Sequence, residues 1–362
     1  MVNYFMKVTY IFVPIVTGLW YFIYFSTFTD VKPIKVKMAD QLLLQHESTA
    51  NPQNASLSPA GNKQTELVIL LWTWPHDYRF PLDRCLPQYG ISGCHLTANR
   101  SRYKHADAVV IHHRDVSSNI SLLPQQPRPP HQLWIWFNLE PPIHLSNLHL
   151  MDNLFNLTLS YRRDSDIFTP YGWMENVSEP ENFTIPIKSR LVSWVISNWR
   201  PSDKRVVYYE ELRKHIQVDV FGRGHMPIPD SKLLTTIISQ YKFYLAFENS
   251  QHKDYITEKV WRNAFGSMAV PVVLGPPRAN YEVFLPTDSF IHVDDFPTAQ
   301  DLAAYLLELD ADDERYASYF SWRMQLQPVL KVSWITHYCK ACRALHQKHY
   351  EKTVPSIERW FI

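Results

Sequence analysis

The sequence FYLAFENSQHKDYITEK at residues 243–259 predicts the fold of the region around it. Its first five residues are apolar or aromatic, as in a strand covered on both faces, and polar residues follow from Glu248 onward. A loop then leads to a helix that begins near Thr257 or Glu258. This order is typical of open α/β sheets, in which ligands bind outside the carboxyl ends of the strands. We therefore expect a binding site where this strand ends.

Short apolar runs alternate with longer helical patterns on both sides of this segment. The predicted strands cover residues 67–74, 108–112, 133–139, 191–197, 218–222, 243–248, 270–274 and 290–293, and the predicted helices cover 204–216, 258–265 and 299–309. Such alternation predicts an α/β protein with parallel sheets. A proline- and sequon-rich stretch at residues 177–186 is the predicted boundary, so two βαβ domains are expected to face each other across a cleft.

The first 64 residues are predicted to lie outside the globular part. No charged residue occurs between Lys7 and Asp30, and 22 helical residues would span roughly 33 Å, enough to cross the hydrocarbon core of a bilayer. We predict a cytoplasmic tail at residues 1–7, a transmembrane anchor at 8–29 and a flexible stem at 30–64. A cleaved signal peptide is the alternative, but the apolar run is long for one and no small-x-small cleavage site follows it.

All Asn-x-Ser/Thr sequons follow the apolar segment, which indicates that the C-terminal side lies in the secretory lumen. They are Asn54, Asn99, Asn119, Asn156, Asn176 and Asn182. Lys32, Lys35 and Lys37 would favour the opposite orientation, but six sequons outweigh them. The chain is therefore predicted to be a single-pass type II membrane glycoprotein. Its net charge of +1, with acids and bases interspersed, indicates no nucleic-acid partner.

The cysteines of the chain are Cys85, Cys94, Cys339 and Cys342. In a lumenal protein an even set predicts disulfides, and four cysteines allow three pairings. Bridges from the first two cysteines to the last two would tie the ends of the chain together. A zinc site or a redox pair is the alternative interpretation of Cys339-x-x-Cys342, although the spacing of the first two cysteines is poor for zinc.

Two segments carry acidic residues of the kind that bind metals or sugar hydroxyls. Asp164-Ser-Asp166 has the D-x-D form with which some glycosyltransferases hold a metal, but Arg162 and Arg163 precede it, so an ion-paired structural role is favoured. The second segment follows the strand at 243–248, where Lys259 is suited to neutralise a diphosphate. Asn249 and Glu258 are suited to bind hydroxyls of a ribose or a sugar.

Residues 243–264 resemble the donor-binding signature of the α1,3-fucosyltransferases (glycosyltransferase family 10), an inverting family that uses GDP-fucose. The matching pattern is FxLxFENSxxxDYxTEKxxxNA. WIWFNLE at 134–140, YRRDSDIFTPYG at 161–172, VSWVISNW at 192–199, VPVVLG at 270–275 and FIHVDDF at 290–296 are also similar to the family. The resemblance implies a GT-B-like architecture of two Rossmann-type domains. The acceptor-side domain would cover residues 65–186, and the GDP-fucose-binding domain 187–362, with a C-terminal tail that returns to the first domain. It also implies residence in the Golgi membrane.

The resemblance further implies roles for single residues. Glu140 would be the general base, because a direct displacement with inversion needs one base for the acceptor hydroxyl. The donor-binding residues would be Asn198, Arg205, Asn249, Tyr255, Glu258 and Lys259. Arg114 and His144 would contact the acceptor. With an arginine at position 114, the chain resembles the family members that prefer O3 of GlcNAc in N-acetyllactosamine.

We therefore expect an inverting α1,3-fucosyltransferase that moves fucose from GDP-fucose to N-acetyllactosamine-type glycans on glycoproteins or glycolipids, with a Lewis x-type product. No cofactor is expected to be required, with Mn²⁺ at most a stimulant, and homodimerisation is left open. The alternative is a catalytically weak or inactive lumenal carbohydrate-binding protein, since Pro141 replaces the family's Ser after the base. A second departure is Met268, which lies where a positive φ is expected.

Overall fold

The computed structural model describes residues 34–35, 66–178, 183–330, 332–347 and 352–362. The predicted cytoplasmic tail and anchor, nearly all of the predicted stem, and the sequons at Asn54 and Asn182 lie outside these residues. Among the described residues, no helix combines the length and the apolar character needed to cross a membrane.

The strands of the described residues follow one another along the chain as a series of short segments. They are β1 (Ile34–Lys35), β2 (Leu67–Leu71), β3 (Cys94–Thr97), β4 (Ala108–His112), β5 (Leu133–Asn138), β6 (Leu157–Ser160), β7 (Ile167–Phe168), β8 (Trp173–Asn176), β9 (Thr184–Ile185), β10 (Arg190–Val195), β11 (Val218–Phe221), β12 (Tyr241–Phe247), β13 (Val270–Leu274), β14 (Ile291–His292) and β15 (Leu326–Val329).

The α-helices are α1 (Cys85–Tyr89), α2 (His113–Val116), α3 (Lys204–Leu212), α4 (Leu234–Ile238), α5 (Arg278–Tyr281), α6 (Ala299–Ala311), α7 (Asp313–Ser318), α8 (Trp334–Gln347) and α9 (Ile357–Phe361). A π-helix covers Lys259–Ala264, where an α-helix was predicted over 258–265.

Six parallel strands form the first sheet, in the order β3-β2-β4-β5-β6-β7. All five residues of β4 are buried, as expected for a strand covered on both faces. The chain adds β3 on one side of β2 and β4 on the other, so the strand order reverses between β2 and β4. In open α/β sheets, the crevice at such a reversal opens at the carboxyl ends of the two strands.

Five parallel strands form the second sheet, in the order β11-β10-β12-β13-β14. All seven residues of β12 are buried. Here the order reverses between β10 and β12, so the second crevice opens where the 243–259 segment leaves β12. The prediction of an α/β protein with parallel sheets is therefore confirmed.

Two small antiparallel pairs accompany the sheets. β15 pairs with β8, and β1 pairs with β9. The short strands β1, β3, β6, β7, β8, β9 and β15 were not predicted, because runs of two to four residues carry little periodicity. β1 lies within the segment predicted to be a flexible stem.

The C-terminal tail packs on the first sheet, although it follows the second sheet in the chain. Ile335 and Tyr338 of α8 and Ile357 and Phe361 of α9 are buried in the apolar core of the first sheet. The core around the first strands is therefore completed by the last residues of the chain.

Two disulfides fix this tail. Cys85 pairs with Cys339, and Cys94 pairs with Cys342, across 254 and 248 residues of sequence. The predicted pair of disulfides is confirmed, and each links α8 to an element at the start of the first sheet. His346 Nε2 lies 3.5 Å from Cys94 Sγ, but both sulfurs of that pair are in the bridge.

Candidate active site

A cleft of about 1050 Å³ lies between the carboxyl ends of the two sheets. Its lining from the first sheet includes His76 after β2, His112 at the end of β4 and Glu140 after β5. The lining from the second sheet follows β12 and comprises Asn249, Tyr255, Glu258, Lys259 and Arg262. We call these two sets the Glu140 wall and the Lys259 wall. Trp334 and His337 of α8 complete the side of the Glu140 wall.

The centre of the Lys259 wall is an ion pair between Lys259, whose side chain is 13% exposed, and the fully buried Glu248. Lys259 Nζ donates to Glu248 Oε2 at 2.9 Å and to Thr257 Oγ1 at 2.8 Å. The other carboxylate oxygen of Glu248 accepts from the backbone N–H and the hydroxyl of Thr257. Burial by itself lowers the pKa of a lysine, but the negative charge of Glu248 raises the pKa of Lys259 above its ordinary value. Lys259 is therefore a cation at any physiological pH, and its position is fixed.

Tyr255 and Glu258 project from the same loop. Tyr255 is buried, and its ring centroid lies 5.1 Å from that of Tyr161 and 6.0 Å from that of Tyr171. The side chain of Glu258 is 43% exposed and lies 3.4 Å from Lys259. Asn249 Oδ1 is buried, and no described residue donates a hydrogen bond to it. The loop thus presents an aromatic ring, a carboxylate and an amide oxygen beside one ammonium group.

Arg205 and Asn198 are not among the residues that line the cleft. Arg205 is buried in the first turn of α3, and its Nη2 donates to the carbonyl of Asn198 at 2.7 Å. Burial lowers the pKa of Arg205, while the charges of Asp203 and Glu248 act in the opposite direction. The structure therefore joins these two predicted residues to each other and places the arginine within the electrostatic reach of the Lys259 wall.

Glu140 has a basic partner on each carboxylate oxygen. Arg114 Nη1 donates to Oε1 at 3.2 Å, and His144 Nδ1 lies 3.5 Å from Oε2. The side chain of Glu140 is 23% exposed and that of Arg114 is 50% exposed. The structure thus brings together the three residues predicted for the acceptor side. Glu140 lines the cleft, whereas Arg114 and His144 are not among the residues that line it.

The backbone of Glu140 is held by Asn138, the last residue of β5. The fully buried Asn138 side chain accepts from the Glu140 N–H at 3.2 Å and donates to the Glu140 carbonyl at 2.7 Å. Pro141 precedes the 3-10 turn Pro142–His144 and has φ −75° and ψ 160°, an extended conformation that proline adopts without strain. The loss of an N–H at position 141 therefore leaves the Glu140 backbone with both hydrogen bonds from Asn138.

A cluster of histidines and one indole forms the rest of the Glu140 wall. His112 Nδ1 lies 2.7 Å from Asp115 Oδ2, and the His112 ring packs at 5.2 Å from His76 and at 5.8 Å from Trp334. His337 is buried and its Nδ1 lies 2.6 Å from Thr169 Oγ1. This wall thus depends on α8, which comes from the far end of the chain.

The D-x-D pattern is engaged in structural contacts. Asp164 forms an ion pair with Arg162 at 2.6 Å and lies 3.4 Å from Lys253. Asp166 accepts from the N–H and the hydroxyl of Thr158, both at 2.9 Å. The favoured interpretation, pairing with the preceding arginine, is the arrangement found.

The remaining predicted features are placed as follows. The described sequon residues Asn99, Asn119 and Asn176 are exposed, whereas Asn156 is half-buried and its Nδ2 donates to the carbonyl of Lys352. Met268 has φ 50°, the left-handed conformation expected at that position.

Sequence reasoning missed three residues of the site. Glu248 could have been selected as a site residue, because it is the first polar residue after a buried strand. Its pairing with Lys259 could not be inferred. Asn138 ends β5 in the same way and carried the same signal. Trp334 lies 194 residues after Glu140 in the chain, and no local pattern places it in the cleft.

Comparison with known proteins identifies the family. The profile described as "Fucosyltransferase, N-terminal" matches residues 64–172, and the profile "Glycosyltransferase family 10 (fucosyltransferase) C-term" matches residues 185–360. A 4-galactosyl-N-acetylglucosaminide 3-alpha-L-fucosyltransferase of Pongo pygmaeus is 54% identical over 299 residues, covering 81% of this chain and 82% of that protein. A 3-galactosyl-N-acetylglucosaminide 4-alpha-L-fucosyltransferase of the same species is 52% identical over 318 residues, covering 86% and 85%.

The fold is similar to a solved structure. A crystal structure of an alpha1,3-fucosyltransferase with GDP-fucose superposes with a TM-score of 0.53 at 18% sequence identity, covering 83% of this chain and 96% of that one. At this identity the similarity concerns the fold.

Proposed function

The chain belongs to glycosyltransferase family 10, the fucosyltransferases, and from that premise we propose an inverting transfer of fucose from GDP-fucose to O3 of GlcNAc in N-acetyllactosamine-type glycans. That the chain is a glycosyltransferase follows from its relatives at about 52% identity over most of its length. The donor, the acceptor and the stereochemistry are the proposal. The observation that carries it is one cleft with a positioned carboxylate on one wall and a fixed ammonium group on the other.

In the proposed reaction Glu140 takes the proton of the acceptor hydroxyl while its oxygen attacks the anomeric carbon of fucose. The new C–O bond forms as the bond from that carbon to the β-phosphate oxygen breaks, so GDP leaves with the electron pair and the configuration inverts. One base is sufficient, because the leaving diphosphate needs neutralisation rather than a proton. Lys259 supplies a positive charge on the opposite wall, and Arg205 lies behind it.

The choice of O3 over O4 is based on the sequence at position 114, where the chain carries Arg114 and so resembles the family members that prefer O3. The two Pongo pygmaeus relatives carry different names, a 3-alpha-L- and a 4-alpha-L-fucosyltransferase, at nearly the same identity. Overall identity therefore does not decide the acceptor. Arg114 donates a hydrogen bond to the Glu140 carboxylate from outside the cleft lining, so the residue at this position acts on the acceptor through the proposed base.

We also propose that the enzyme is a single-pass type II protein of the Golgi membrane with a lumenal catalytic part, on the basis of the apolar N-terminal segment, the exposed sequons and the disulfides. No metal cofactor is proposed: Lys259 lines the cleft as a cation, and Arg205 lies behind it. Activity that is lost on chelation and restored only by Mn²⁺ would contradict this.

The test is fucose transfer from GDP-fucose to N-acetyllactosamine by secreted residues 62–362, with Glu140→Gln and the exposed Glu314→Gln as a matched control. We expect the product at O3, a loss of at least about a hundredfold for Glu140→Gln, and no loss for the control. The isomer Galβ1,3GlcNAc, in which O3 is blocked, should be a poor acceptor. A wild-type protein that binds GDP but transfers nothing would instead support a lumenal carbohydrate-binding protein.

A further inference from the structure

The loop at residues 249–258 carries three of the predicted donor-binding residues, Asn249, Tyr255 and Glu258, to the cleft. It lies between β12 and the π-helix and contains no strand or helix of its own. Side-chain contacts with other parts of the fold therefore fix its path. Because these three side chains have to meet the donor together, the groups that hold the loop also act on the affinity for the donor.

One anchor of the loop is Asp254, whose backbone has a left-handed φ of 62°. Its Oδ1 accepts from Asn280 Nδ2 at 2.7 Å, and its Oδ2 accepts from the N–H of Arg163 at 2.9 Å. Asn280 belongs to α5, which follows β13 of the second sheet, whereas Arg163 follows β6 of the first sheet. The loop is thus attached to the first sheet, although the chain enters it from the second.

The second anchor is His252, which is half-buried. Its Nε2 lies 2.9 Å from the carbonyl oxygen of Phe361, and its Nδ1 lies 2.8 Å from the hydroxyl of Tyr161. A carbonyl oxygen only accepts, so Nε2 carries the proton. Burial lowers the pKa of His252, and the charge of Arg162 acts in the same direction. The imidazole is therefore neutral, and Nδ1 accepts from the Tyr161 hydroxyl.

Tyr161 lies directly after β6 and is fully buried. Its ring centroid lies 5.1 Å from that of Tyr255 and 5.9 Å from that of Phe361. A phenylalanine would make the same ring contacts, so packing does not require the hydroxyl. Among the residues that the structure describes, His252 is the one hydrogen-bond partner of that hydroxyl. The hydroxyl thus serves a single contact, with the loop that carries Tyr255.

We propose that Tyr161 and His252 are positioning residues for the nucleotide donor. The Tyr161 hydroxyl holds the His252 ring, and the ring holds the 249–258 loop in the conformation in which Asn249 and Tyr255 meet the donor. A loop that is already ordered loses little conformational entropy on binding, which raises the affinity although neither positioning residue lines the cleft. This inference rests on the proposed function, because it takes the GDP moiety as the ligand of the loop.

The first measurement is the Kd for GDP, by calorimetry on the full-length enzyme in detergent. Tyr161→Phe keeps the ring but removes the hydrogen bond to Nδ1, and it should weaken GDP binding by roughly fivefold. The KM for GDP-fucose should rise by the same factor, with kcat and the KM for N-acetyllactosamine unchanged.

The matched control is Tyr103→Phe. It also removes the hydroxyl of a buried tyrosine that packs on the first sheet, but this hydroxyl donates to the carbonyl of Gln126 at 3.3 Å. Whatever stability it loses, the control should keep the wild-type Kd for GDP. An unchanged Kd in Tyr161→Phe overturns the proposal, as does an equal rise of the Kd in both variants.

A double-mutant cycle tests the route through His252. His252→Leu removes both hydrogen bonds of the ring at similar volume and should also weaken GDP binding. If Tyr161 acts through His252, adding Tyr161→Phe to His252→Leu should weaken binding no further. Independent effects of the two substitutions would mean that Tyr161 acts on Tyr255 by packing alone, which overturns the proposed role of the hydroxyl.

Hydrogen exchange separates this inference from the proposed function, because it needs no ligand. In Tyr161→Phe the amides of residues 249–258 should exchange faster than in the wild type, while those of β12 keep their rate. A wild-type enzyme that binds no GDP would count against the proposed donor alone. Unchanged exchange in the loop would count against the positioning role alone.

Discussion

The two walls of the cleft are built in different ways. The Lys259 wall is local in sequence, since Glu248, Thr257 and Lys259 lie within 12 residues and saturate one another's hydrogen bonds. The Glu140 wall is assembled from distant segments, since His76, His112 and Glu140 lie at the ends of three different strands and Trp334 is contributed by α8. The ion pair of the first wall is therefore held by contacts within one short segment, whereas the second wall depends on how the ends of the chain come together.

The largest expected effect on stability comes from a substitution in the Lys259 wall. Glu248→Ala removes the fully buried partner of Lys259, whose side chain is only 13% exposed, and should reduce the free energy of unfolding by about 3–5 kcal/mol. Chemical denaturation measures it. Glu140→Gln, on the other wall, should leave the free energy of unfolding nearly unchanged. Similar losses in both variants would mean that the two walls do not differ as described.

The next largest effect on stability is expected from removing a disulfide that fixes the C-terminal tail. Replacing Cys94 and Cys342 together by alanine should reduce the free energy of unfolding by about 2–5 kcal/mol. Because α8 packs on the first sheet, hydrogen exchange should accelerate in β4 and β5 before β12 and β13. Uniform acceleration in both sheets would contradict a tail that stabilises only the Glu140 wall.

Acid should weaken the Glu140 wall selectively. Burial lowers the pKa of His113 to about 4 and that of His337 to about 3. The unfolded chain takes up these protons near pH 6.5 and the folded protein does not, so stability is present above pH 6.5 and falls as the pH drops toward 4. The loss between pH 6.5 and 5.0 should be about 1–2 kcal/mol for each histidine.

Denaturation curves at several pH values check this, with His113→Gln/His337→Gln as the variant. Its stability should depend less on pH in that range. His215→Gln, at an exposed site on the second sheet's side, serves as the control and should retain the wild-type dependence.

The smallest effect tests how Glu140 is positioned. Asn138→Ala removes both hydrogen bonds to the Glu140 backbone and should lower kcat by roughly tenfold, or about 1.4 kcal/mol. The KM for GDP-fucose should not change, since the Lys259 wall is untouched. A fall in kcat/KM caused only by a higher KM for the donor would show that Asn138 acts on the fold rather than on the base.

The contrast between the walls also explains what the sequence could predict. Strands β4 and β13 were predicted to the residue, because long apolar runs bounded by polar residues specify buried parallel strands. The Lys259 wall could be located because its residues are consecutive with such a strand. Its ion pair could not be predicted, since the sequence shows that Glu248 and Lys259 are close along the chain but not that their side chains are in contact.

The Glu140 wall was predictable only residue by residue. Glu140, Arg114 and His144 were proposed through the family resemblance, and the structure brings them together. Trp334 and Asn138 were not proposed, because contacts across the fold leave no local pattern. Arg205 was expected at a phosphate, yet it lies behind the cleft lining and bonds Asn198.

The position of α8 and α9 has a consequence for biosynthesis. The strands of the first sheet leave the ribosome early, but the helices that cover their core are translated last. The nascent first sheet therefore waits with apolar surface and two unpaired thiols exposed until translation ends, a period in which such surface is prone to aggregation. Premature termination anywhere before residue 334 removes both helices and both cysteines that hold them, so we expect even such a late truncation to prevent stable folding of the first sheet.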